Sequence, residues 1–207
     1  MKKVLITGFE PFGGETINPS YEAIKLIDSR ILNCEIERLE LPVAFYDSSR
    51  LLIETIHEYR PDLIIMVGQA GGRKEISVER IAVNLDDTQT PDNKGVAPLD
   101  DPIAVFGPNA YFSSLPCKQI VDALRVKHIP ASLSYSAGTY VCNHLFYSVM
   151  HDLEQTTQKE IKAGFIHVPY ETSQTIHKPH LFSLDLKVIK EALEIIIDVA
   201  CQSFHII

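Results

Sequence analysis

The stretch Leu52-Ile53-Glu54-Thr55-Ile56-His57-Glu58-Tyr59-Arg60-Pro61-Asp62-Leu63-Ile64-Ile65-Met66-Val67-Gly68 carries a helix period and a strand run back to back. Leu52, Ile56 and Tyr59 recur at helical spacing, and Pro61 stops that helix because its ring cannot continue one. Residues 62–67 then read as a buried strand ending at Gly68. The same alternation extends both ways. Upstream, residues 3–7 read as a buried first strand. Asn18-Pro19-Ser20 offers an N-cap with proline at the first helical position. Ile24, Ile27 and Ile31 follow at helical spacing, and residues 35–41 alternate like a half-exposed strand. Downstream, residues 76–84 are extended and Ile120, Val121 and Leu124 mark a helix. Residues 131–135 read as a strand, followed by a helix through Leu145, Val149 and Leu153. Residues 164–168 are a strand stopped at Pro169. Leu186, Ile189, Leu193, Ile197, Ala200 and Phe204 form the stripe of a closing helix. Alternating strands and helices predict an α/β class, a three-layer α/β/α arrangement around a mostly parallel or mixed twisted sheet, as one domain over residues 1–207. Residues 86–109 are the exception. They are rich in Pro, Gly, Asp and Asn without periodicity, and excursions of that length are usually functional or disordered.

Composition narrows the function. The chain has 207 residues, 45% hydrophobic and 22% charged, with a formal net charge of -8. Such a chain repels phosphate backbones, so no nucleic acid is expected as a partner. No window reaches the eighteen or so apolar residues of a membrane span. The apolar run after Lys2-Lys3 is too short for a signal peptide, so a cytoplasmic location is expected. Four cysteines stand at positions 34, 117, 142 and 201 with no C-x-x-C spacing. A zinc site is therefore not expected, and in a reducing compartment the thiols are free.

A free thiol becomes a nucleophile when its pKa is lowered and a base lies nearby. Cys142 follows a strand, a glycine turn at Gly138 and Thr139, a candidate N-cap. That places it in the first turn of a helix, where the dipole favours thiolate and free N–H groups can bind an oxyanion. The bland reading is a small buried apolar residue. Cys34 sits in a helix–strand connection, Cys117 near a helix start, and Cys201 beside the last helix's apolar stripe. Among the histidines, His167 stands at the carboxyl end of a strand, where α/β sheets form ligand sites. His144 is a rival, but residues two apart on a helix point to different faces. His57, His151 and His205 read as surface groups on helices. Glu79 lies in an apolar stretch, where an unpaired carboxylate is costly. Its partner is either Arg80 or Arg73, as an ion pair, or an imidazole N–H whose tautomer it fixes. Physics alone leaves these alternatives open.

Two glycine-rich segments follow strands. Gly8-Phe9-Glu10-Pro11-Phe12-Gly13-Gly14 matches no phosphate-binding pattern, and its phenylalanines suggest an apolar pocket wall or simply core. In Gly68-Gln69-Ala70-Gly71-Gly72 the glycines let backbone approach a ligand.

These segments, together with Glu79-Arg80-Ile81-Ala82-Val83-Asn84, Ser134-Tyr135-Ser136-Ala137-Gly138-Thr139-Tyr140-Val141-Cys142-Asn143-His144 and Phe165-Ile166-His167-Val168-Pro169, resemble the pyroglutamyl peptidase I family over nearly the whole chain. The resemblance implies a cofactor-free and metal-free cysteine peptidase that removes N-terminal pyroglutamate from peptides through a thioester. It implies Cys142 as nucleophile, His167 as base and Glu79 as the group holding His167. It also implies Phe9, Phe12, Tyr140 and Val141 as pocket walls, Gln69 as the position whose backbone holds the lactam, and a homotetramer or homodimer. The loop departs from the family pattern. Gln89 stands where many members carry arginine, and Thr90 is smaller and more polar than the aliphatic residue expected there. Both are candidate substrate contacts. Two other classes compete with this reading: a non-catalytic small-ligand binder on the same fold, and a nucleoside phosphorylase-like transferase. The latter lacks an evident basic phosphate cluster.

Overall fold

The computed structural model describes residues 1–31, 33–156 and 160–205. The chain begins with β1 (Lys2–Phe9), α1 (Pro19–Lys25), β2 (Arg30–Ile31), β3 (Cys34–Leu41), α2 (Phe45–Tyr59) and β4 (Leu63–Gln69). It continues through β5 (Ile76–Glu79), β6 (Ile81–Val83), β7 (Ala110–Phe112), α3 (Cys117–Val126), β8 (Ala131–Ser134) and α4 (Val141–Gln155). It ends with β9 (Lys162–Val168), β10 (Tyr170–Glu171), β11 (Ser183–Leu184) and α5 (Leu186–Gln202). Seven strands form the main sheet in the order β2-β3-β1-β4-β9-β5-β8. The pairs β1–β3, β1–β4, β4–β9 and β5–β8 are parallel; β2–β3 and β5–β9 are antiparallel. The expected mixed sheet between helical layers is what forms.

Strand periodicity sorts the core into two layers. Val4, Ile6, Ile65, Val67, Val78 and Ile166 face the helices α1, α3 and α5, through Ile24, Ile120, Leu124, Ile189 and Leu193. Leu5, Ile64, Met66 and Phe165 face α2 and α4, through Leu52, Ile56, Leu145, Phe146 and Val149. A register slip of one residue would exchange the two sets, so burial on both sides fixes the register.

The start of α1 and the end of α2 follow local chemistry. Asn18 caps α1 by accepting from the Ser20 backbone N–H, with Pro19 at the first helical position. The helix ends at Lys25, earlier than the spacing of Ile24, Ile27 and Ile31 suggests. Ile27 packs into the core from the following turn and Ile31 belongs to β2. The apolar spacing there reports burial, not one continuous helix. α2 ends at Arg60, whose φ of 52° is left-handed, just before Pro61. The extended stretch 76–84 divides into β5 and β6 around Arg80, and β6 pairs with β7 in a separate ribbon.

Residues 86–109 form no helix or named strand, yet side chains stitch them down. The Asp92 carboxylate accepts from the backbone N–H groups of Phe45, Lys94 and Val96. Asn84 bonds Ala104 through both ends of its amide, and Asn93 donates to Glu10 at 2.8 Å. Asp86 and Asp101 form an antiparallel bridge.

Gly8 marks the closest approach of β1 to α1. A Cβ there would lie 2.7 Å from the Tyr21 backbone, which cannot rotate away. Gly8→Ala is expected to destabilise the fold by about 1–3 kcal/mol, read as a lower midpoint in urea unfolding.

Candidate active site

β4 and β9 run side by side, with Gly68 opposite His167. Paired positions on neighbouring strands project to the same face. On the other side of β9, Ser77 is opposite His167 and Glu79 opposite Phe165. Gly68, His167, Phe165 and Glu79 therefore share the face that meets α2 and α4. Gly68 supplies space at its centre. A Cβ on it would stand 2.8 Å from the Cys142 Sγ and 2.9 Å from the Phe165 ring. The thiol thus occupies the room a side chain at Gly68 would take, next to the strand position of His167. Phe165 packs against the imidazole with ring centroids 4.8 Å apart.

Cys142 is the second residue of α4, within the first helical turn where the sequence predicts it, but the cap is not Thr139. Tyr140 is the N-cap residue and makes no side-chain cap bond. The Thr139 hydroxyl donates instead to the Asp87 carbonyl at 2.6 Å. Gly138 has a φ of 82°, the left-handed conformation expected of a glycine in this sharp turn.

Glu79 resolves its two readings by satisfying both. Its Oε1 accepts from His167 Nδ1 at 2.8 Å and from Arg73 Nη1 at 2.5 Å. Arg73 also donates to the Ser136 carbonyl at 3.1 Å, linking the carboxylate to the turn before α4. Arg80 is elsewhere, its guanidinium 5.7 Å from the Phe112 ring. Glu79 and His167 are 0% and 3% exposed, so their contact is water-excluded. Burial raises the Glu79 pKa, but the bond from His167, that group's charge and Arg73 more than offset it, and the carboxyl is held below its ordinary value. Burial lowers the His167 pKa below 6.5, with the Glu79 bond and charge pulling back up. Nδ1 is committed to Glu79, which leaves Nε2 as the ring's other nitrogen.

The expected thiolate bias of Cys142 is not what its surroundings produce. Burial, then the Glu79 charge, pushes this thiol up to about 12, and Arg73 recovers only part of that. Desolvation outweighs the helix start, and the thiol rests protonated. Cys142 nonetheless borders a small apolar cleft with Phe9, Phe12, Asn18, Val43, Gln69, Tyr140 and Val141. Five expected pocket residues, Phe9, Phe12, Gln69, Tyr140 and Val141, are brought together there. Gln89 and Thr90 are not part of that lining; both are exposed. Their neighbour Pro91 reaches the cleft's edge, where its carbonyl accepts from the Tyr140 hydroxyl at 3.1 Å. Asn18 and Val43 join the cleft without a functional signal in the sequence. Asn18 reads as a helix cap, and Val43 carries no local mark of a site; of the two arginines expected as ion-pair partners of Glu79, Arg73 is the one that arrives.

The rival histidine faces away. His144 Nδ1 lies 2.6 Å from Asp86 Oδ2, and its Nε2 lies 3.2 Å from Ser49 Oγ. These buried groups tie the start of the long loop to α2 and α4. Tyr46, Ser49, His144 and His151 help line a second cavity of about 470 Å³. His57 is exposed and pairs with Asp152; His151 is partly buried, hydrogen-bonded to Tyr111 at 2.8 Å. The His205 side chain lies outside the described residues. Cys34, Cys117 and Cys201 are buried. No cluster of three metal-ligating side chains and no membrane-length apolar helix occurs among the described residues.

The family model described as pyroglutamyl peptidase matches residues 2–203. Pyrrolidone-carboxylate peptidase 1 of Caldanaerobacter subterraneus subsp. tengcongensis is 48% identical over 201 residues, covering 97% of this chain and 98% of the relative. The pyrrolidone-carboxylate peptidase of Bacillus licheniformis is 51% identical, covering 94% of this chain and 90% of the relative. The crystal structure of pyroglutamyl peptidase I from Bacillus amyloliquefaciens superposes with a TM-score of 0.94 at 45% identity, over 98% of each chain. Pyrrolidone carboxyl peptidase from Thermococcus litoralis gives 0.94 at 40% identity, over 99% of this chain and 96% of that one. The chain belongs to the pyroglutamyl peptidase family and is a cysteine-type peptidase.

Proposed function

We propose that this chain removes N-terminal pyroglutamyl residues from peptides through a thioester on Cys142, with His167 as base and Glu79 holding His167. The observation that carries the reading is the water-excluded Glu79–His167 bond beside a thiol at the mouth of an apolar cleft. With both groups neutral at rest, no thiolate is stored. The thiol proton moves to His167 Nε2 as Sγ attacks the pyroglutamyl carbonyl carbon. Backbone N–H groups at the start of α4 face the developing oxyanion. The imidazolium, stabilised by Glu79, returns the proton to the leaving amine. Water then enters, gives a proton to His167, and releases 5-oxoproline and the thiol.

Selectivity comes from charge. The lactam has no ammonium group, and Phe9, Phe12, Val43, Tyr140 and Val141 offer it apolar walls. An ordinary free N-terminus would bring a cation into that cleft unpaired, at high desolvation cost. Gln69, at the end of β4, supplies backbone beside the ring, and its side chain is fixed by Gln174 at 3.0 Å. We further infer a homotetramer or homodimer, consistent with Val105 and Phe106 standing 75% and 101% exposed.

Cys142→Ala is expected to abolish release from a pyroglutamyl amide substrate while urea unfolding stays close to the parent; retained turnover would sink the mechanism. Since His167 must be neutral to act and its pKa lies below 6.5, the acid limb of kcat/KM should fall below that pH. Glu79→Gln removes the influence that raises the His167 pKa, so the acid limb should move lower still. Its kcat should drop roughly 10²-fold, a smaller loss than in His167→Ala. A limb that stays put or rises in a pH–rate profile would separate Glu79 from His167. Gly68→Ala forces its new methyl against Cys142 Sγ and should lower kcat about tenfold or more, since small displacements of reacting groups are costly. Steady-state kinetics on the folded variant measures this.

A further inference from the structure

Cys34 opens β3, and Cys201 lies in the last turn of α5, 167 positions away. Their sulfurs are 2.6 Å apart, about half an ångström beyond a disulfide bond of ~2.05 Å. Both side chains belong to the core layer beneath α1, α3 and α5, at 2% and 8% exposure. Their backbones are held independently of each other. Cys34 is paired with Lys2 on one side and Ile31 on the other. The end of α5 is tied down by Lys162, whose ammonium donates to both the carbonyl and the hydroxyl of Ser203. The two thiols are thus pressed together by elements that cannot easily part.

We propose that Cys34 and Cys201 are a site of intrachain cross-linking, forming a disulfide when the protein meets a small-molecule disulfide oxidant. In the first step the Cys201 sulfur, having lost its proton, attacks one sulfur of the oxidant. The oxidant's S–S bond breaks, one thiol leaves and takes up a proton, and a mixed disulfide remains on Cys201. Cys34 then loses its proton and attacks Cys201 Sγ, expelling the second thiol. Two protein thiols are oxidised and one disulfide is reduced to two thiols, so the exchange balances. Burial pushes the Cys201 thiol up, with the Cys34 contact adding to it, so the exchange is slow and quickens with rising pH. The bond closes a loop of most of the chain and restricts the unfolded state accordingly. It also lies at the opposite end of the sheet from the cleft. Cys34 aligns with Lys2 at the start of β1, whereas the cleft uses Phe9 at its end. The cross-link therefore clamps the closing helix without involving Cys142.

The test treats the whole protein with hydroxyethyl disulfide at mildly alkaline pH. Unreacted thiols are then alkylated in denaturant without reductant, and the peptides are mapped by mass spectrometry. Cys34 and Cys201 should emerge in one linked peptide pair, lighter by two hydrogens, with Cys117 alkylated. The apparent Tm should rise by about 5–10 °C over the reduced protein. In Cys34→Ala and in Cys201→Ala the linked pair should be absent and the oxidant should no longer raise Tm. Alkylation of both Cys34 and Cys201 in the treated parent, a link through Cys117 or Cys142, or an equal rise in the single variants would each overturn the proposal.

Discussion

A carboxylate shielded from water governs this structure. Glu79 is 0% exposed, and an ion in that position persists only with partners of opposite charge or strong donors. Two are supplied on one oxygen, the His167 imidazole and the Arg73 guanidinium. That requirement fixes the antiparallel placement of β5 against β9, the turn carrying Arg73 after β4, and, through the Ser136 carbonyl, the entry to α4. The histidine is oriented because the carboxylate must be satisfied. Removing either partner would leave buried charge, so the site and the fold share one electrostatic constraint.

The same burial that orients His167 works against a stored thiolate. Desolvation raises the Cys142 thiol and lowers the imidazole. Each shift favours the neutral form of its group, and an ion pair between the two would have to overcome both. For the proposed attack by Cys142, such surroundings suit proton transfer in concert with attack better than a preformed ion pair. In the proposed mechanism, water exclusion would strengthen the Glu79–imidazolium interaction when charge appears.

Around this centre, polar side chains do the work that regular structure does elsewhere. The long loop 86–109 has almost no ladder of its own. Its shape depends on Asp92 collecting three backbone N–H groups, on Asn84 spanning it, and on Asn143 bonding the backbone of Val83 and Leu85 from α4. His144 adds the contact to Asp86. The residues beside Cys142 on α4 thus hold the loop, while Cys142 faces the cleft. Tyr140 joins the two roles, with its ring on the cleft wall and its hydroxyl on Pro91.

The sequence alone displays the layered α/β class, because strand and helix periods are local and the run from Leu52 to Gly68 carries both. It marked Cys142 through a local signature, a glycine turn feeding a helix start. Boundaries were less legible: Ile31 kept helical spacing while lying in a strand, because burial from two different elements can imitate one amphipathic face. Motif resemblance brought Glu79, His167 and the pocket walls together where physics alone left Glu79 between an arginine and a histidine. It took the packed chain to show that Glu79 takes both, that Thr139 bonds the loop and caps nothing, that Gln89 and Thr90 stand outside the cleft, and that Cys34 meets Cys201. Each of these depends on which side chain arrives from a distant strand or helix and on how much water it displaces. Sequence spacing records neither, because desolvation and long-range pairing are properties of the packed chain.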